Sequence, residues 1–270
     1  MTEDQYLTVR HKTVRKANQL IQKSRFSLSL QQQKILLYLI SQISPQDEDF
    51  KVYHFSIPDF CRVCGLTYSG TNYSDLKDAV KDIADKSLWV RLPSGCDSLL
   101  RWIEKARIDD KSGQIEVRLD NDMKPFLLQL RENYTQYEMI FTLHFKSKYT
   151  IRLYELIKSV HYHEDLEYQK TYEVAELKRL LDAEIYTEYR NFKQRVLTPC
   201  VAEINEYSDK TVTFDEVRQG RKVLAIEFNI KTKDTLEVLR IKSEIDKEFG
   251  TDQLTLWDRI EQADEKREGA

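Results

Sequence analysis

The segment Ile35-Leu36-Leu37-Tyr38-Leu39-Ile40 returns as Ile151-Arg152-Leu153-Tyr154-Glu155-Leu156-Ile157, with Ile35/Ile151, Leu37/Leu153 and Tyr38/Tyr154 all in register at an offset of 116 residues. That offset is far longer than the period of a stacked solenoid, so the chain reads as two similar modules in tandem. In both copies apolar residues recur three and four apart, the spacing of a helix that turns one face to a core. Ser29 with Gln32 predicts a capping box at the start of the first helix, and Ser147 can cap the second.

The same series of elements follows each copy. After the first come Phe55 and Ile57, a short helix around Pro58 to Cys64, a turn containing Gly65 and Gly70, and a helix from about Ser74 to Lys86. Strand-like stretches follow at Leu88 to Leu92, Leu99 to Ile108 and Gln114 to Leu119, the last two joined by the hairpin turn Asp109-Asp110-Lys111-Ser112-Gly113. After the second copy, Tyr172 and Val174 open a helix to about Leu181. A further helix spans about Tyr186 to Asn205, and strands Thr211 to Phe214 and Val223 to Ile230 are joined through Arg218-Gln219-Gly220-Arg221. Three helices, two of them a helix-turn-helix, followed by a hairpin describe a winged helix. The expected fold class is α+β, mainly helical, with two tandem winged-helix domains related by an internal repeat. Their expected bounds are 1–135 and 136–249, with an acidic flexible tail at 250–270. The segment Thr235 to Phe249 reads as a closing helix of the second domain, too short for a dimer zipper.

At 270 residues and 41% apolar composition the chain can bury two ordinary cores. No apolar run reaches membrane length and no signal-peptide core opens the chain, so a cytoplasmic protein without membrane association is expected. Cys61 and Cys64 form a C-x-x-C with no second pair to complete a zinc site, and read as small buried residues. No metal and no cofactor is expected. The net charge of −3 sits badly with binding to phosphate, but it is unevenly spread. Residues 1 to 36 carry Arg10, Lys12, Arg15, Lys16, Lys23, Arg25 and Lys34 against Glu3 and Asp4, whereas residues 243 to 270 carry nine acids against four bases.

In the helix from Tyr189 to Asn205 the stripe Phe192, Val196, Cys200 and Ile204 must face the core. Arg190, Asn191, Lys193, Gln194 and Arg195 therefore surround its exposed N-terminal end, the end that recognition helices insert into a major groove. Arginine and lysine read guanine, and asparagine and glutamine read adenine. Arg218, Arg221 and Lys222 at the hairpin tip suit a neighbouring phosphate backbone. The equivalent helix of the first module offers Asn72, Tyr73, Lys77 and Lys81, diluted by Asp75, Asp78 and Asp82, and so suits secondary DNA contacts or protein contacts. Arg15 and Lys16 extend the basic N-terminal stretch toward DNA.

The chain resembles the iteron-binding replication initiator (Rep) family of theta-replicating bacterial plasmids over roughly residues 8 to 248. The residues that carry the likeness are Val14-Arg15-Lys16-Ala17-Asn18-Gln19-Leu20-Ile21, Ser147-Lys148-Tyr149 leading into Arg152-Leu153-Tyr154-Glu155-Leu156, and Phe192-Lys193-Gln194-Arg195-Val196-Leu197 with Glu203-Ile204-Asn205. The resemblance implies a non-enzymatic initiator that binds direct repeats in double-stranded origin DNA as a monomer. It further implies opening of an adjacent AT-rich segment, recruitment of host replication proteins such as helicase and host initiator, and repression of its own gene as a dimer formed through the first module, with a part in copy control.

Other readings make sharper demands. A rolling-circle nicking enzyme needs a metal-binding histidine pair and a tyrosine nucleophile. His161-Tyr162-His163 and Tyr189-x-x-x-Lys193 stand in the right order, but histidines two apart at the end of a helix diverge by about 200°. A phosphate-binding loop at Gly65 and Gly70 has Thr71-Asn72 where Lys-Ser/Thr is needed. A winged-helix transcriptional regulator is separated from an initiator only by the family likeness and the clamp-like tail, and a scaffold using winged helices only for protein contacts is disfavoured by Arg190, Lys193 and Arg195. In the tail, Gln253-Leu254-Thr255-Leu256-Trp257 is similar to the short peptide that docks on the bacterial sliding clamp, with Trp for the usual Phe. The alternative is that Leu254 and Trp257 pack back on the second module.

Overall fold

The computed structural model describes residues 1–66, 69–109, 111–161 and 166–249, apart from the side chain of Asn72. The clamp-like segment Gln253, Leu254, Leu256, Trp257 and the residues Tyr162 and His163 lie outside the described residues.

The chain opens with α1 (Glu3–Arg10), β1 (Thr13–Ala17), α2 (Asn18–Lys23) and β2 (Ser24–Arg25). The first repeat follows as α3 (Leu30–Ser41), β3 (Tyr53–Ser56), α4 (Ile57–Val63) and α5 (Gly70–Asp85), then β4 (Ser87–Arg91), β5 (Asp97–Arg101), β6 (Ile103–Ile108) and β7 (Gln114–Leu119). The connection runs through α6 (Lys124–Leu127), β8 (Tyr134–Glu138) and α7 (Ile140–Leu143). The second repeat is α8 (Lys148–Lys158), β9 (Glu167–Glu173), α9 (Val174–Leu180), α10 (Tyr189–Phe192), a π-helical turn Lys193–Leu197, α11 (Thr198–Tyr207), β10 (Lys210–Gln219) and β11 (Lys222–Thr232). Helix α12 (Thr235–Glu248) closes the described chain.

The repeat is visible in topology. Each module holds an antiparallel three-stranded sheet in which the strand before the helix-turn-helix pairs with the last wing strand, giving β3-β7-β6 and β9-β11-β10. It is also visible at the turn. After α4 the Leu66 N–H donates to the Cys61 carbonyl (2.8 Å) and the Gly65 N–H to that of Arg62 (3.4 Å); after α9 the Ala183 N–H donates to Lys178 (2.8 Å) and the Asp182 N–H to Arg179 (3.3 Å). Both ends are Schellman caps, which place one residue in the left-handed region: Gly65 at φ 62° and Asp182 at φ 55°. Asp182 tolerates that conformation through its short polar side chain, which accepts hydrogen bonds from Ser27 (2.7 Å) and Lys148 (2.6 Å). Gly65 has no substitute, because a Cβ there would stand 2.1 Å from the Phe249 ring. The predicted capping box is present, with Ser29 accepting from the Gln32 N–H and Gln32 reaching back, and Ser147 accepts from the Tyr149 N–H.

Three expectations change. The strand expected over Leu99 to Ile108 is two strands in two sheets, β5 pairing with β4 and β6 with β7, and the chain changes sheets at Trp102 and Ile103, both of them buried. The helix of the second repeat ends at Lys158, so His161 lies beyond it, stacked on Tyr168 at 4.9 Å. The helical divergence invoked against a nicking site therefore does not apply to His161. Helix α12 does not close the second module alone. Its Asp246 meets Arg10 (3.4 Å) and His11 (2.8 Å) of the first, and Lys242 bonds Glu138. Phe249 lies over Arg10 and stacks on His144 at 4.5 Å.

The two modules share one continuous core, and charge is buried at their seam. Lys16 Nζ bonds Glu155 (2.6 Å), Tyr137 donates its hydroxyl to the same carboxylate oxygen (2.6 Å), and Arg152 lies 3.6 Å from the other. Arg152 also donates to the Ile21 and Leu180 carbonyls and covers the Phe26 ring at 4.4 Å. Burial pushes the Glu155 carboxyl up, but Lys16 and Arg152 outweigh it and hold the group below its ordinary range.

His11, between Asp246 and Glu138, gives this seam a pH response. Burial favours its neutral ring, but hydrogen bonds to the two carboxylates outweigh that and raise its pKa to about 9. A raised folded-state pKa contributes stability that is complete below the unfolded value of about 6.5 and is lost as pH rises through about 9. The ring is 34% exposed, so screening leaves about 1–2 kcal/mol. Thermal melts between pH 6 and 9.5 are expected to show this loss in the wild type and to lack it in His11→Gln. Equal pH dependence in both proteins would refute the assignment.

Candidate nucleic-acid interface

The second helix-turn-helix builds its exposed face by burying the opposite one. Phe192, Val196, Cys200 and Ile204 are each 0% exposed, as the stripe predicted, and Leu197 joins them. Pro199 lies one turn into the run. Its ring cannot accept the carbonyl of Arg195 in a regular α-helix, and the π-turn over Lys193–Leu197 opens the ladder there. Arg190, Asn191, Gln194 and Arg195 are exposed, and Thr198, which the sequence reading passed over, is exposed after them.

Lys193 differs from its neighbours. Its ammonium bonds Glu216 of β10 at 2.7 Å, Tyr189 donates its hydroxyl to the same oxygen at 2.9 Å, and Arg218 takes the other, its Nε at 3.0 Å. The hydrogen bond from Lys193, against some opposing burial and with help from Tyr189 and Arg218, holds Glu216 down to about 2. One carboxylate thus ties the base of the recognition helix to the wing. The sequence shows no acid on this face, because Glu216 lies 23 residues from Lys193 and reaches it only across the hairpin. Among the described residues Arg190, Arg195, Arg221 and Lys222 have no ion-pair partner, and all four are exposed. The arrangement is a cationic and amide-bearing helix face beside two cations at a hairpin tip.

In the first module α5 buries Leu76, Ala79, Val80 and Ile83. Lys77 lies 5.0 Å from the Tyr73 ring, Lys81 pairs with Asp78 (3.2 Å), and Asp82 accepts from Gln32 of α3. Tyr73 approaches the tip of the β6–β7 wing at Gly113. The Asn72 side chain lies outside the described residues.

The basic N-terminal stretch needs correction. Lys16 is 6% exposed and committed to Glu155, so it is an internal ion-pair member that no phosphate can reach. Arg10 and Lys34 are likewise buried, Lys34 donating to the Leu143 carbonyl at 2.6 Å. Arg15 is half-buried and donates to Gln136 at 3.2 Å. Of that stretch only Lys23 and Arg25 are exposed, and Arg25 pairs with Glu184 at 2.9 Å.

The Tyr189 hydroxyl is committed to Glu216. Burial and its hydrogen bond to Glu216 raise its pKa, the opposite of what a phenolate nucleophile needs. Among the described residues no three His, Cys, Asp or Glu side chains gather as a metal site, and Cys61 and Cys64 are buried, with burial pushing the Cys64 thiol up to about 12. No described helix is long and apolar enough to cross a membrane.

Fold and site together define a tandem winged-helix protein with a recognition helix braced against its wing. A family described as "Initiator Replication protein, WH1" matches residues 13–158, more than half of the chain, and "Initiator Rep protein, WH2" matches residues 173–230. The chain belongs to this family of initiator replication proteins. A replication initiation protein of Escherichia coli is 23% identical over 237 residues, covering 83% of this chain and 71% of that one. The Pi initiator, solved in complex with iteron DNA, superposes with a TM-score of 0.69 at 18% identity, covering 83% of this chain and 99% of that one.

Proposed function

We propose that the chain initiates plasmid replication by binding direct repeats in double-stranded origin DNA, with the second module as the main reader. The observation that carries this reading is the exposed set Arg190, Asn191, Gln194 and Arg195, on a helix whose other side is wholly buried and which Glu216 braces to the wing. Bidentate donors and amides at the N-terminal end of such a helix are what base edges in a major groove require. Arg221 and Lys222 then rest on the adjacent backbone, and Arg218 and Lys193 hold the two parts in register. Family membership and the fold shared with the Pi initiator support the same reading.

In this account residues 1–135 supply dimerisation and secondary DNA contacts, residues 136–249 the main reader, and 250–270 an acidic tail suited to a clamp-docking peptide. Binding energy summed over several repeats drives opening of neighbouring AT-rich DNA and gathers host clamp, helicase and host initiator in the cytoplasm. As a dimer the protein represses its own gene and so sets copy number. No covalent bond is made or broken.

The wing separates positioning from reading. Arg221→Ala with Lys222→Ala is expected to weaken binding to repeat and scrambled duplexes alike. It should also make the slope of log affinity against log salt shallower by about 2, one unit for each lost phosphate contact. A loss confined to the repeat duplex, with the slope unchanged, would contradict this division.

A further inference from the structure

We propose that the cleft between the C-terminal end of α3 and the segment following α6 binds a small organic carboxylate with an aliphatic body, its anion held by Arg15 and Arg131 and its hydrocarbon laid against Ile43 and Leu130. The site goes beyond the DNA reading and is separate from both recognition helices and both wings. The cleft measures about 310 Å³, at the lower end of the range for small-molecule pockets.

Strand pairing and helix phase converge on this place. In the two-stranded sheet β1-β8 Arg15 pairs with Gln136 and Ala17 with Tyr134, so Arg15 and Tyr134 stand in neighbouring rows of one face. The opposite face carries Val14, Lys16, Thr135 and Tyr137, all of them buried. Ile40 in the last turn of α3 and Leu127 at the end of α6 close the floor, whereas Ile43 and Leu130 are half-buried walls. Arg131 lines the cleft from the connection between α6 and β8, whose backbone is left-handed at Gln129 (φ 50°) and Asn133 (φ 53°). Asparagine adopts that region readily, but glutamine has no short polar side chain to compensate for it. The connection is therefore held against α3 at a conformational cost, as residues that clamp a ligand often are.

Charge and polarity select the ligand. No acid lines the cleft, and neither Arg15 nor Arg131 has an ion-pair partner among the described residues. Arg15 spends its Nε on Gln136 at 3.2 Å, which leaves its two terminal nitrogens for an anion. The Tyr134 hydroxyl, half-buried and without a hydrogen-bond partner among the described residues, can donate to the same anion. Guanidinium groups take carboxylates through parallel hydrogen bonds. The C-terminal end of α3 forms one wall, and its partial negative charge opposes a phosphate dianion more than a carboxylate monoanion. An inorganic ion would leave Ile43 and Leu130 wetted, whereas an aliphatic chain covers them and gains the burial.

The test is isothermal titration of the full-length protein with octanoate, and with acetate and 1-octanol in parallel. Wild type is expected to bind octanoate with a Kd below about 1 mM. Acetate, which lacks the hydrocarbon, and octanol, which lacks the charge, should each bind at least roughly tenfold more weakly. Arg15→Gln with Arg131→Ala should weaken octanoate roughly tenfold or more, and Arg131→Ala alone, a change to an exposed side chain that leaves the fold intact, roughly fivefold. Failure of wild type to bind octanoate, octanol binding as tight as octanoate, or a double-variant effect within twofold would each overturn the proposal. No DNA is present in these titrations, so their failure leaves the DNA reading standing.

Discussion

Glu155→Ala is expected to lower the unfolding free energy by about 3–5 kcal/mol, the cost of leaving buried charge without its partner. Glu155 is 1% exposed and serves Lys16, Arg152 and Tyr137 at once. Its removal strands two buried cations from different parts of the chain, and neither can reach water without opening the seam. For a chain of this size 1 kcal/mol moves the melting temperature by about 2–4 °C, so a fall of about 10 °C is expected by differential scanning calorimetry. Adding Lys16→Met should recover part of the loss by removing one orphaned charge. A fall of less than about 1 kcal/mol in Glu155→Ala would show that the seam is hydrated and that its ion pairs do not hold the modules together.

The second large effect concerns DNA. Arg190→Ala with Arg195→Ala removes two exposed guanidinium groups from the recognition helix while leaving its buried stripe and the Glu216 brace intact. A good bidentate base contact is worth about 1–3 kcal/mol of discrimination, so the double variant should lose about 30-fold or more on a repeat duplex. It should change little in melting temperature. Arg195 is preferable to Lys193 as the second site, because replacing Lys193 also releases Glu216 and loosens the wing. Retention of full affinity for the repeat would support a scaffold that uses its winged helices only for protein contacts.

Much of the fold was legible because the repeat and the helical stripes are local. Phe192, Val196, Cys200 and Ile204 fix which side of the recognition helix is buried, and the caps at Ser29 and Ser147 fix where two helices begin. What the sequence hid depends on distant pairs. Glu216 acts on Lys193 and Tyr189 only because the hairpin folds it back. Lys16 looked like a surface cation because its partner Glu155 lies 139 residues away. The placement of α12 on the first module rests on Arg10 and Asp246, separated by 236 residues, a contact that no spacing rule can foretell. The chain changes sheets at Trp102 and Ile103, within a run that reads as one strand.

On the function proposed above, the second module reads a repeated sequence so that several copies assemble on one origin. The direct measurement is a footprint of the purified protein on the DNA flanking its own gene. Protection is expected over several direct repeats, each about two helical turns long, beside an AT-rich stretch, and that protection should be lost in Arg190→Ala/Arg195→Ala. Protection of a single palindrome with no adjacent repeats would contradict that function and make the protein a transcriptional regulator.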